Sequence, residues 1–160
     1  LRKNLSMVSQ DVILFDDTIK NNIAYARDNA SDSEIENACK FAAANEFIEK
    51  LPKGYDTLIG ENGIRLSGGQ KQTVALARAL MRKPNYLLFD EPTANMDTGT
   101  EQQVLAGLKK HLTNETMLIV THRMAPLSLV DRIIVLDNGR VAVDGPRDLV
   151  IQKLQAKKTA

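Results

Sequence analysis

The sequence holds no tryptophan, a single cysteine, and so few phenylalanines and tyrosines that aromatic residues make up 4% of its 160 positions. With Cys39 alone no internal disulfide can form, and a reducing compartment suits the chain. Cys39 stands in a helical pattern beside Phe41 and Ala42, where a small buried hydrophobe is the ordinary role. The scarcity of aromatics leaves no base-stacking surface, and a net charge of +1 calls for no nucleic acid. No apolar run approaches the roughly 20 residues of a membrane span. The longest runs, such as RIIVL at residues 132–136, have the size of buried strands. A secretory signal pattern is missing as well. So is a G-x-x-x-x-G-K-[S/T] phosphate loop: residues 63–69 hold glycines at a tempting spacing, but Gln70, not lysine, follows Gly69. The chain opens on Leu1, inside what reads as a domain and without a start methionine, which suggests a fragment.

What is present is an ordinary globular composition, 43% hydrophobic and 26% charged, with length enough for one sizeable core. Residues 5–9 (LSMVS) read as a short strand, and Thr18 opens a short helix through Ile23. Ser31 and Glu34 have capping-box spacing ahead of a helix to about Ala44, with Ile35, Ala38, Cys39 and Ala42 on one face. A shorter helix spans about residues 45–51 and stops at Pro52. Residues 53–69 read as glycine-rich loop. From Gly68 a strong helix runs to about Arg82, with Val74, Leu76, Ala77 and Leu80 apolar and Pro84 just past its end. The pattern then changes. Residues 86–89 (YLLF) read as a buried parallel strand ending at Asp90, residues 99–112 as a helix, and residues 117–120 (MLIV) as a strand ending at Thr121 and His122. Asp137, Asn138 and Gly139 mark a hairpin between residues 133–136 and 141–143. A last helix starts after Pro146, and the final KKTA reads as a frayed end. A helical subdomain, about residues 11–83, would thus hang on an α/β core with a parallel sheet, about residues 84–160.

Four features carry chemistry. In LSGGQ (residues 66–70) Gly68 and Gly69 let backbone lie close to a ligand, and the helix they open presents free N–H groups and the positive end of its dipole. Ser67 adds a hydroxyl. A Ser-Gly-Gly turn that merely caps a helix is the plainer alternative, although five matched residues including Gln70 exceed it. Next, strand residues 86–89 deliver Asp90 and Glu91 to a C-terminal strand end, where open α/β sheets bind ligands. Mg²⁺ with phosphate supplies the counter-charge two adjacent acids need. Asp90 is expected to hold the metal through water, and Glu91 to act on the attacking water as general base or orienter. His122 follows a buried strand at the same edge and can donate to a γ-phosphate oxygen; His111, late in a helix, reads as structural. Gln10 follows the first strand and can ligate Mg²⁺ or bind water, a weak signal alone.

Taken in order, Gln10, LSGGQ, the acid pair and His122 resemble the ABC transporter ATPase family over essentially the whole chain. The resemblance makes Gln10 the Q-loop glutamine, residues 66–70 the signature motif, and residues 86–90 the Walker B strand. Glu91 becomes the catalytic glutamate, residues 94–97 the D-loop, and His122 the switch histidine. It implies the partial core of a P-loop NTPase with a helical signature subdomain, ATP and Mg²⁺ as ligands, and a head-to-tail dimer of two such domains. Ser67, Gly68, Gly69, Gln70 and Asp97 would then meet nucleotide at the dimer interface, while Gln10, Asp90, Glu91 and His122 face the chain's own nucleotide.

The residues also narrow the subfamily. Gly60, Glu61, Asn62 and Gly63 resemble the extra loop of exporters, and VSQDVILFDDTIKNNIAYAR (residues 8–27) is similar to exporters that flip lipid A. DEPTANMD (residues 90–97) departs from the exporters' usual DEATSALD, while residues 120–146 resemble type I secretion ATPases. The cargo is thus a lipid or an unfolded protein. The implied protein is an integral transporter of the bacterial inner membrane, with this domain on the cytoplasmic face and the transmembrane domain in the same chain. A soluble, non-transport ABC ATPase is the alternative, and residues 60–63 argue against it. A degenerate regulatory half is a third reading, opposed by the presence of Glu91, His122 and LSGGQ together. The family places its phosphate loop before the Q-loop, so these 160 residues alone are expected neither to bind nor to hydrolyse ATP.

Overall fold

The computed structural model describes residues 4–159, with side chains described through residue 156. Leu1 and the final Ala160 lie outside the described residues. The chain divides into two compact units, Leu1–His122 and Arg123–Ala160.

The first unit is built on three parallel strands: β1 (Leu5–Val8), β2 (Tyr86–Asp90) and β3 (Thr116–Val120), with β2 in the middle. Val8 pairs with Phe89, Phe89 with Ile119, and Asp90 with Val120, so all three strands end at one edge. Ser6 and Val8 of β1 and Leu87 and Phe89 of β2 are buried on one face. Met7, Tyr86, Leu118 and Val120 remain exposed. The run YLLF therefore alternates, buried on one side only, where a wholly apolar run leads one to expect burial on both.

Helices α1 (Ile19–Ala24), α2 (Asp32–Phe41), α3 (Asn45–Ile48) and α4 (Gly68–Met81) fall between β1 and β2 in the chain, and α5 (Thr98–His111) lies between β2 and β3. Each long helix starts on a side-chain cap. Ser31 and Glu34 form the expected reciprocal box on α2, Ser67 and Gln70 form a second on α4, and the Asp97 carboxylate caps α5. α4 packs on α1, α2 and β1, and α2 also meets α5. The fully buried Val74, Leu76 and Ala77 of α4 join Ile19, Ile23, Ile35, Cys39 and Phe89 in the core. Each large aliphatic side chain so buried contributes about 1.5–3 kcal/mol. α2 and α5 approach closely because residue 107 is glycine: a Cβ there would run into the Phe41 carbonyl oxygen. Beside this contact His111 stacks on Phe41 with ring centroids 3.8 Å apart, a packing role.

Two boundaries differ from expectation. α2 stops at Phe41 because Ala43 turns into the left-handed region at φ 53°. Alanine gives no sequence signal for such a stop. The stretch at 53–69 is not plain loop but contains 3₁₀ turns at Gly54–Asp56 and Glu61–Gly63. Gly60, Asn62 and Gly63 all have positive φ, and a Cβ on Gly63 would stand 2.9 Å from Leu14 Cδ1. The loop after Gln10 and the turn before the signature motif are thereby packed together.

The second unit is the hairpin β4 (Arg132–Asp137) and β5 (Arg140–Pro146), followed by α6 (Arg147–Thr159). Asn138 and Gly139 both take positive φ, as the tight turn requires. Arg132 forks onto the Asp144 carboxylate across the strands at 2.8 and 2.7 Å. The helix covers part of the stretch expected to fray. Among the described residues no helix is long and apolar enough to cross a membrane.

Candidate functional site at the carboxyl edge of the sheet

Because the strands are parallel and in register, Gln10, Asp90, Glu91 and His122 all emerge past one edge. Gln10 is exposed there and Asp90 is half-buried. Glu91 is the organising residue. Its side chain is only 11% exposed, and its two oxygens take three donors. The backbone N–H of His122 donates to Oε1 at 2.8 Å, His122 Nδ1 lies 2.7 Å from the same oxygen, and the Thr121 hydroxyl donates to Oε2 at 3.0 Å. Burial alone pushes the Glu91 carboxyl upward, but the His122 N–H, the His122 ring and the Thr121 hydroxyl together outweigh it and hold the carboxyl below its ordinary value. Glu91 is therefore an anion at neutral pH, and the proton between it and His122 sits on Nδ1. Oε1 has both lone pairs occupied, while Oε2 keeps one acceptor position open. The histidine ring is otherwise free, with 81% of its side chain exposed.

The backbone of Glu91 is unusual too. Its φ is 47°, a left-handed conformation that costs a non-glycine residue of order 1–3 kcal/mol. The surrounding structure supplies the restraint. The Glu91 N–H donates to Val120 C=O at 2.9 Å, and its own carbonyl accepts from Ala94 N–H at 3.2 Å and from Gln72 Nε2 at 2.9 Å.

The signature segment forms the start of α4. Gln70 N–H donates to Ser67 Oγ at 3.2 Å, and Ser67 N–H donates to Gln70 Oε1 at 2.9 Å. The motif is thus a helix cap, as the plainer alternative has it. Its glycines face protein: a Cβ would meet Asn95 Cβ at 3.1 Å from Gly68, and the Asn95 carbonyl oxygen at 2.9 Å from Gly69. The helix start is pressed against the turn that follows Glu91. Asp97 closes that turn, accepting from the Thr100 N–H at 3.0 Å and the Thr100 hydroxyl at 2.6 Å. The Thr100 hydroxyl and N–H hold the Asp97 carboxyl below its usual range.

Gln72, Thr121 and Asn22 are participants that sequence reasoning missed. Asn22, fully buried in α1, bonds both the N–H and the carbonyl of Phe15 at 2.8 and 3.0 Å and so fixes the segment after Gln10. Gln72 did leave a signal: it stands four residues before Leu76 and eight before Leu80, a polar residue on an apolar stripe.

Hard oxygen donors at Asp90 and Gln10 suit Mg²⁺, which completes its shell with water and phosphate; no cluster of three or more metal-binding side chains occurs among the described residues. An ionised carboxylate at the carboxyl edge of a parallel sheet stands where open α/β sheets bind their ligands. The chain belongs to the ABC transporter family, whose model matches residues 1–94, and it forms part of an ABC ATP-binding domain. It is 49% identical to an ATM1-type heavy metal exporter of Novosphingobium aromaticivorans, over 91% of this chain and 24% of that protein. It is 47% identical to an ATP-dependent lipid A-core flippase of Legionella pneumophila (strain Paris), over 91% of this chain and 25% of that one. A bacterial Atm1-family ABC exporter solved with ATP bound superposes with a TM-score of 0.90 at 44% identity, covering 99% of this chain and 29% of that structure. The chain thus spans about a quarter of the length of the curated relatives it matches.

Proposed function

We propose that the chain is part of the ATP-binding and ATP-hydrolysing motor of an ABC exporter. The observation that carries the chemistry is the buried, ionised Glu91 carboxylate, aimed by Thr121 and His122 at the carboxyl edge of the sheet. Its open Oε2 position takes the attacking water and draws its proton, or holds its orientation. His122, tied through Nδ1, turns Nε2 outward toward the phosphate that develops charge. Asp90 and Gln10 hold Mg²⁺, which supplies charge neutralisation of the phosphates when bound. Ser67, Gly68, Gly69 and Gln70 offer an anion-binding helix start to nucleotide held by a second, head-to-tail copy, and Asp97 sits in the turn beside it. In the intact protein the motor works with a transmembrane domain in the same chain, at the cytoplasmic face of the bacterial inner membrane. Relatives named as a heavy metal exporter and a lipid A-core flippase support an exporter over a soluble ABC ATPase. The cargo we propose is a lipid or, from the likeness of residues 120–146 to type I secretion ATPases, a protein.

The test is Glu91→Gln in the full-length transporter. ATP turnover should fall to background while ATP-bound dimers accumulate. Turnover at the parent rate would remove Glu91 from the chemistry.

A further inference from the structure

One buried polar side chain is not used by the chemistry above. Gln72, in the second turn of α4, is 0% exposed, and both ends of its amide are committed. Nε2 donates to the Glu91 carbonyl at 2.9 Å, and Oε1 accepts the Asn95 N–H at 3.1 Å. The amide bridges residues 19 and 23 positions away, spanning both ends of the turn between β2 and α5. The same turn is wedged against the signature glycines, where no Cβ can fit at Gly69 without moving the Asn95 carbonyl. Glu91 itself holds a left-handed backbone that persists only when its neighbours impose it. The Gln72 amide is one of those neighbours.

We propose that Gln72 is a positioning residue, which locks the signature helix start and the Glu91 backbone of one chain into a single moving part. The proposal rests on the reading of Glu91 as the catalytic carboxylate. A phosphate arriving at residues 67–69 from another chain shifts the start of α4. Through the Gln72 amide that shift reaches the carbonyl of Glu91, and through it the angle at which the carboxylate meets water. Without the amide, each segment still folds on its own caps: Ser67 with Gln70, and Asp97 with Thr100. What is lost is registry between them.

The substitution that tests this is Gln72→Glu. Its size and one acceptor are kept, but the donor to the Glu91 carbonyl exists only when the new carboxyl is protonated, a state that burial favours. Other ionisable groups of the two segments are Lys71 and Arg78 on α4 and Asp90, Glu91 and Asp97 around the turn. The parent is therefore measured at every pH. In the full-length transporter, Q72E should show kcat for ATP at least tenfold below parent at pH 8.5, with KM within threefold. The ratio to parent should recover toward one as pH falls to 6. Gln72→Met, of similar length with no donor, should show the same kcat loss at every pH. ATP-analogue binding of both variants should stay close to parent, and both should keep a cooperative thermal unfolding transition, with a midpoint lowered where the buried partners of residue 72 go unpaired. A flat Q72E ratio across pH overturns the proposal. So does a Q72M kcat within twofold of parent, or a Q72E protein that cannot be recovered folded at pH 6, where the hydrogen-bond pattern is intact. An inactive Glu91→Gln beside a flat Q72E sinks only the positioning role; an active Glu91→Gln sinks the assignment of Glu91 beneath it.

Discussion

Ser67 and Glu91 both stand where a regular element ends, yet they are built in opposite ways. Ser67 is exposed, and its hydrogen bonds close locally on Gln70, three residues along. Glu91 is buried, and apart from the nearby Ala94 its partners come from 19 to 31 residues away, on α4, at the end of β3 and just past it. The helix start closes its cap hydrogen bonds within three residues, although its glycines pack against Asn95. The carboxylate is the reverse: its position is a property of the sheet edge and of α4 together. A local motif can thus be substituted at modest cost to folding, while the non-local one ties reactivity to packing.

Substitutions can break that contrast in a graded way. The largest effect is expected on turnover at His122, since its backbone and ring supply two of the three donors to Glu91. In the full-length transporter His122→Ala leaves the backbone donor but removes the ring, and should lower kcat by about 10²–10³, read from steady-state ATP hydrolysis. An unchanged kcat would leave the ring a bystander. Next comes the contact that joins the two ends. Gly69→Ala puts a Cβ against the Asn95 carbonyl and should destabilise by about 1–3 kcal/mol, measured as a shift in chemical denaturation. If Gly69→Ala is neutral, the turn yields and the coupling is soft. The self-contained end should give least: Ser67→Ala removes one cap and should cost about 1 kcal/mol, while in mixed dimers its effect on hydrolysis should fall on the site of the other copy.

Acid gives a measure that separates the ends without changing the helix start. Glu91 is held below its ordinary value of 4.5, so its ionised form is favoured in the folded state. The stability it contributes is present above about that value and is lost as pH falls through the lowered folded pKa. Thermal unfolding of the parent should therefore drop more steeply below pH 4.5 than that of Glu91→Gln. Parallel curves would mean that the donors from Thr121 and His122 do not favour the anion.

Local patterns explain how much of this was legible in advance. Caps and periods act over three or four residues, so Ser31 with Glu34, the α4 stripe and the Asn138–Gly139 turn could be read directly. The placement of His122 at the edge that carries Asp90 also followed, because each comes at the end of a buried strand; Gln10 joined them only through the family resemblance. What escaped depends on contacts remote in sequence. Ala43 and Glu91 take left-handed backbone that neither residue type prefers; tertiary bonds impose it at Glu91, and alanine gave no warning at 43. The pleat of β2 was missed because YLLF is apolar at every position, which hides which side chains face the helices. The Gln72 clamp stood in plain view as a polar residue on an apolar stripe, but only distance could say what it held.

Cys39 offers a practical consequence. Its thiol is fully buried beside Tyr55, and burial raises its pKa to about 12, so it presents almost no thiolate to a reagent at neutral pH. Burial thus shields it from thiol-directed probes. A cysteine introduced at an exposed position, such as Tyr25 or Ile64, would thus take a fluorophore or spin label at one site without first removing the native thiol. Distances from such a label to a second one elsewhere in the chain could then be followed with the core untouched.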